Sequence, residues 1–134
     1  MLKQILPIIG ASIFVLLGIA HLYYTFLTNK FNARDGAVTE GMKNTQPLLT
    51  RQTTIWNAWI GFNGSHSLGA IFFGIINIIL YTQLYNFTST SVYIQGLNVA
   101  MCLCYLFLAF KYWFKTPLAG IAVATVCFIL GWVL

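Results

Sequence analysis

Three long stretches of this chain, Ile5–Thr28, Ile55–Tyr81 and Leu118–Leu134, contain no charged side chain, and a fourth, Val92–Phe114, has only Lys111 near its end. Each approaches or exceeds the roughly 20 apolar residues that a helix needs to cross a bilayer. Hydrocarbon offers no water to an unpaired peptide group, so segments of this length and composition fold as helices that satisfy their own backbone. The expected fold is all-α and integral to the membrane: a single four-helix transmembrane bundle covering residues 1–134, with a long polar loop at 29–54. The last span is the shortest, about 25 Å at 1.5 Å per residue, and Thr116 followed by Pro117 marks its expected start.

Charge excludes most other classes. Charged residues make up 7% of the chain, against about a quarter in soluble domains. The formal net charge of +5 rests on scattered cations rather than on a phosphate-tracking stripe, so nucleic acid is not an expected partner. Lys30, Arg34, Lys43 and Arg51 lie in the 29–54 loop, and Lys111 and Lys115 in the tight turn before the last span. The opposite side carries only Lys3. Six cations against one place the two charged loops in the cytoplasm and both termini outside. Lys3, the first apolar run and Gly18-Ile19-Ala20 also fit a signal peptide, but Leu22–Leu27 carries the apolar stretch past that cut and favours a retained span. Tyr23, Tyr24, Trp56, Trp59, Tyr112 and Trp113 at one end, with Tyr81, Tyr85, Tyr93 and Trp132 at the other, form aromatic belts. Within the long loop, Asn32–Gly36 and Gly41 read as turns, and Thr45-Gln46-Pro47 as a start from which the second span could project beyond the membrane.

Polar side chains in hydrocarbon carry most of the information, because each costs free energy unless it is paired. On the second span Trp56, Trp59, Asn63, His66, Ala70 and Asn77 recur at three, four or seven and share one stripe. The pairs Ser65/Gly69 and Ala70/Gly74 have the small-xxx-small spacing at which another helix can approach closely. On the third span Gln95, Asn98, Cys102 and Tyr105 form a second stripe. Cys102 and Cys104 diverge by about 200° around the helix, so they cannot share a metal or close a disulfide. His21 on the first span, Asn63 and His66 on the second and Tyr105 on the third lie at comparable depth, roughly 9–16 Å from their charged ends.

Several chemistries lack their residues. No Asp or Glu lies in any span, which removes paired-carboxylate acid–base catalysis and carboxylate-bridged metal centres. Two histidines fall short of a zinc site. Ser65 and Ser67 flank His66 but diverge from it by about 100°, a poor nucleophile–base pair. The remaining expectation is a ligand pocket built by His21, Asn63, His66, Tyr105 and Trp59, binding a quinone or lipid in an accessory role. A structural subunit of a larger membrane complex or a homo-oligomer is the second reading. A redox subunit holding haem b between His21 and His66 is the third.

The segments Gly18-Ile19-Ala20-His21 and Gly61-Phe62-Asn63-Gly64-Ser65-His66-Ser67-Leu68-Gly69 resemble those of an uncharacterised group of small four-helix bacterial inner-membrane proteins. That resemblance implies architecture and no activity. The layout is also similar to that of small four-helix quinone-associated membrane proteins.

The charge asymmetry generates a direct test of orientation. Cysteines introduced at Thr39 and Ser89 in a cysteine-free background are expected to differ in intact cells, with an impermeant maleimide labelling Ser89→Cys alone. Labelling at Thr39→Cys but not at Ser89→Cys reverses the topology.

Overall fold

A computed structural model describes residues 1–134. It contains helices α1 (Leu2–Leu27), α2 (Gly36–Asn44), α3 (Ile55–Gln83), α4 (Tyr85–Thr90), α5 (Val92–Tyr112) and α6 (Lys115–Val133), and no strand. Of these, α1, α3, α5 and α6 are long and apolar enough to cross a membrane. The protein is therefore an all-α integral membrane protein with four transmembrane helices. The 29 residues of α3 extend about 43 Å, well beyond a hydrocarbon core of about 30 Å, so its ends reach the interfacial layers.

Helix boundaries follow capping chemistry more than composition. Gly36–Asn44 is helical although Gly36 and Gly41 read as turns, because the Asp35 carboxylate accepts the Ala37 N–H at 2.9 Å and caps the segment. Thr45–Pro47 does not begin a helix. The third element starts at Ile55, where Thr54 Oγ1 accepts the Asn57 N–H at 3.2 Å as an N-cap. The last helix opens at Lys115, earlier than expected, with no side-chain cap from Phe114. Pro117 then falls inside the first turn, where its missing N–H has no intrahelical acceptor to satisfy.

The chain divides into two compact units, Met1–Leu17 with Ala70–Leu134, and Gly18–Gly69. Both α1 and α3 contribute to each. In the first unit the start of α1, the end of α3, α5 and α6 pack around Phe14, Phe73, Tyr81 and Phe128. Phe14 meets Phe73 and Tyr105 edge to face, at 4.8 and 5.2 Å between ring centroids, the arrangement that ring quadrupoles favour. Only Trp113 and Phe114 separate α5 from α6, so the two form an antiparallel hairpin. Gln95, Asn98 and Cys102 are buried and Cys104 is exposed, as the spacing of that stripe requires.

Glycines set the helix contacts of this unit. A Cβ on Gly74 would lie 2.5 Å from the Ala11 carbonyl oxygen and 2.5 Å from Val15 Cγ2. One on Gly10 would lie 3.0 Å from the Ala124 carbonyl oxygen, and one on Gly131 would run into the ring of Pro7. Ala70 and Gly74 are thus the close-approach pair. Ser65 and Gly69, read the same way from spacing, are exposed. Small residues advertise a contact but not which face carries it, since lipid is as apolar as a neighbouring helix.

Polar groups at the α3–α4 junction close the helix end. The Tyr81 carbonyl accepts Gln4 Nε2–H at 2.8 Å, and the Leu80 carbonyl accepts the Thr88 hydroxyl at 3.2 Å. The Tyr81 carbonyl is one that the end of a helix leaves without an amide partner, whereas the Leu80 carbonyl also accepts the Leu84 N–H at 3.1 Å.

Two consequences are measurable. Thr39 is buried, so the exposed neighbour Glu40 is the better labelling position for the orientation test. Gly74→Ala is expected to cost about 1–3 kcal/mol by overpacking, whereas Gly61→Ala, with nothing within 4 Å of its new carbon, is expected to be neutral or stabilising by up to about 1 kcal/mol through helix propensity. Thermal aggregation in detergent compares the two, and a Gly74→Ala protein as stable as the parent contradicts the assigned contact.

Candidate functional site

The second unit holds the end of α1, α2 and the beginning of α3. Hydroxyl and amide side chains on its apolar helices mostly turn back onto their own backbone. Thr25 Oγ1 donates to the His21 carbonyl at 2.8 Å, Ser67 Oγ to the Asn63 carbonyl at 2.8 Å, and Asn63 Nδ2 to the Trp59 carbonyl at 2.8 Å. The last of these fixes the Asn63 amide, because a carbonyl oxygen can only accept and the NH₂ must face it.

With Nδ2 committed to Trp59, Asn63 Oδ1 faces α1, where it lies 2.9 Å from His21 Nε2. The oxygen has no hydrogen to give. His21 therefore carries its proton on Nε2 and donates it, and in the neutral ring Nδ1 is the acceptor nitrogen. Asn63 is buried, at 6% exposure, while His21 and His66 are each half-buried. The orienting group is buried, and the His21 imidazole that it orients is partly exposed.

His66 stands one turn further along α3, and its ring meets that of His21 at 5.5 Å between centroids with 72° between planes. The two histidines expected to meet are in direct ring contact. Phe31 also packs on His21, at 4.5 Å between ring centroids. Phe31 returns because the chain turns sharply after α1: Thr28 Oγ1 accepts the Lys30 N–H at 3.2 Å, and Asn32 N–H reaches the Asn29 carbonyl at 3.0 Å. Gly64 admits Phe26, whose ring edge lies 3.0 Å from where a Cβ would stand. Phe31 was missed in the sequence because the expected turn, Asn32–Gly36, begins one residue after it, whereas the chain already bends over Thr28–Asn32.

The expected site residues thus separate by role. His21, Asn63 and His66 converge, with Asn63 as the residue that orients His21. Trp59 contributes its backbone carbonyl to Asn63, and the residue as a whole is 39% exposed. Tyr105 belongs to the first unit, where it packs on Phe14 and on Trp113, the latter at 6.3 Å. No group of three or more His, Cys, Asp or Glu side chains comes together. An axial histidine pair would need the porphyrin plane between its rings. Here the rings touch and His21 Nε2 is engaged by Asn63, so both would have to swing apart.

No protein-family profile matches the chain, and neither does any curated protein or solved structure.

The hydrogen-bond chain has a spectroscopic signature. In ¹⁵N-labelled protein the neutral His21 imidazole is expected to show a protonated Nε2 and a bare Nδ1. Asn63→Leu removes the acceptor and is expected to bring in the other tautomer; an unchanged His21 signature in that variant disproves the role given to Asn63.

Proposed function

We propose that the His21–Asn63–His66 cluster binds the polar head of a lipophilic small molecule, a quinone or a lipid, in an accessory protein of a bacterial cytoplasmic membrane. The supporting observation is the 2.9 Å bond from His21 to Asn63 with the His66 ring alongside. An imidazole held in one tautomer presents one lone pair in a fixed direction, which suits a hydroxyl or a reduced quinone as donor. Packing alone calls for neither ring, since Leu or Met would fill the space without desolvating a nitrogen. By the positive-inside rule the cluster lies in the cytoplasmic half of the membrane, with the 29–54 loop on the cytoplasmic side and both termini outside.

The reading assigns distinct roles to the three residues. His21 Nδ1 and the His66 ring contact the ligand, and Asn63 acts through His21. Titrating detergent-solubilised protein with a short-chain quinone, followed by quenching of the tryptophans, is expected to give saturable binding. His21→Ala and His66→Ala should each weaken it by roughly ten-fold, the loss of one good hydrogen bond, and the double variant should be little worse than either because the residues act on one ligand. Competition by added phospholipid separates a lipid site from a quinone site. Saturable binding unchanged in all three variants, or no binding of either class, removes the ligand reading and leaves that of a structural subunit.

A further inference from the structure

Most exposed apolar side chains lie along the spanning helices, where lipid covers them. Leu48 and Leu49 do not. They sit in the loop between α2 and α3 and are the most exposed leucines of the chain, at 109% and 94%. The loop around them is closed at its base, where the Ile55 N–H donates to the Thr45 carbonyl at 2.8 Å. Its tip is a turn in which the Thr50 N–H reaches the Pro47 carbonyl at 3.2 Å, with the two leucines at its central positions. Gln52 N–H bonds Thr50 Oγ1 at 3.1 Å and braces the return.

Turn centres that face water are ordinarily occupied by Asn, Asp, Gly or Ser, whose side chains bond the nearby backbone or tolerate its bend. A Leu-Leu pair there matches an apolar environment instead. The base of this loop is joined to the first residue of α3, and Trp56 and Trp59 follow within the next turn. Tryptophans in the end turn of a spanning helix mark the headgroup layer. The loop is therefore anchored at the depth where headgroups give way to acyl chains.

Charge identifies which lipids fit. The one ion pair of the chain joins Lys43 to Glu40 at 2.7 Å. Arg34 and Arg51 have no carboxylate partner, and Arg51 directly follows the turn. Lys30 lies over the Tyr24 ring at 4.3 Å, again without a carboxylate. An apolar tip flanked by the unpaired Arg51, in a segment between α1 and α3 that also carries the unpaired Lys30 and Arg34, complements a leaflet of anionic lipids.

We propose that the 45–54 loop is a membrane-surface anchor that inserts Leu48 and Leu49 into the headgroup–acyl boundary of anionic lipids, in the leaflet at its own end of the helices. The loop then holds that end of α3, with Asn63 and His66 along it, at a fixed depth.

The full chain is tested in nanodiscs of phosphatidylcholine with or without phosphatidylglycerol. In a background with Cys102, Cys104 and Cys127 replaced by Ala, Leu49→Cys and, separately, Leu48→Cys carry an environment-sensitive fluorophore, with Glu40→Cys as the exposed control. Blue-shifted emission, quenching by a lipid bearing a shallow nitroxide and protection from aqueous iodide are expected at both leucine positions but not at Glu40→Cys. Phosphatidylglycerol should strengthen the lipid quenching, and Arg51→Gln should lower the inserted-to-free ratio by roughly five-fold in those discs. Water-like emission with iodide quenching at both leucine positions overturns the proposal. Blue-shifted emission without lipid quenching also overturns it, because a second copy or another protein then covers the tip. Insertion that ignores phosphatidylglycerol overturns the assignment to anionic lipid.

Discussion

A polar side chain inside hydrocarbon has few acceptors within reach, and the nearest is the carbonyl one turn back on its own helix. This constraint shapes many of the hydrophilic residues of the spans. Ser12 donates to Ile8, Thr25 to His21, Thr28 to Tyr24, Asn63 to Trp59, Ser67 to Asn63, Asn77 to Phe73 and Thr125 to Ile121, all between 2.7 and 2.9 Å. Such bonds satisfy the group without reference to any other helix. His21 departs from the pattern. A ring nitrogen cannot reach its own preceding turn as a hydroxyl does, so it needs a partner from outside, and Asn63 supplies one because its own NH₂ is already occupied. The cluster follows from one helix having exhausted its local bonding and the other being unable to begin.

Packing in the first unit obeys a different economy. The aromatic rings of Phe14, Phe73 and Phe128 supply bulk, while Gly10, Gly74 and Gly131 remove it where backbones meet. Dispersion between surfaces that fit closely, rather than exclusion of water, is what favours one helix over lipid as a neighbour. Large and small residues therefore work as complements across the contact.

The spans were legible because charge is absent from them, and the inward face of α5 because Gln95, Asn98 and Cys102 repeat at helical spacing. The meeting of His21 with His66 was legible from depth alone. The rest was hidden for physical reasons. Ser65/Gly69 and Ala70/Gly74 obey one rule, yet only the second pair is buried, and no periodicity distinguishes a lipid-facing side from a protein-facing one. Gly36 and Gly41 disguised α2, whose Asp35 cap outweighs their low propensity. Asn63 looked like a ligand's partner, but its oxygen and nitrogen are both committed within the protein, a fact that only three-dimensional placement supplies. Trp59 entered by its carbonyl, which no side-chain pattern can reveal.

Pro7 and Gly131 carry a consequence for biogenesis. Proline lacks the amide that would have bonded the Lys3 carbonyl, and that carbonyl lies 3.4 Å from where a Gly131 Cβ would stand. The opening turns of α1 are thus completed by the closing turns of α6. During synthesis α1 enters the bilayer long before Gly131 leaves the ribosome, and through that interval the face of the Pro7 ring that meets Gly131 is left to lipid or the insertion machinery. The Pro7 end of α1 consequently reaches its final packing only once α6 is in place, and until then that end of the helix is provisionally placed.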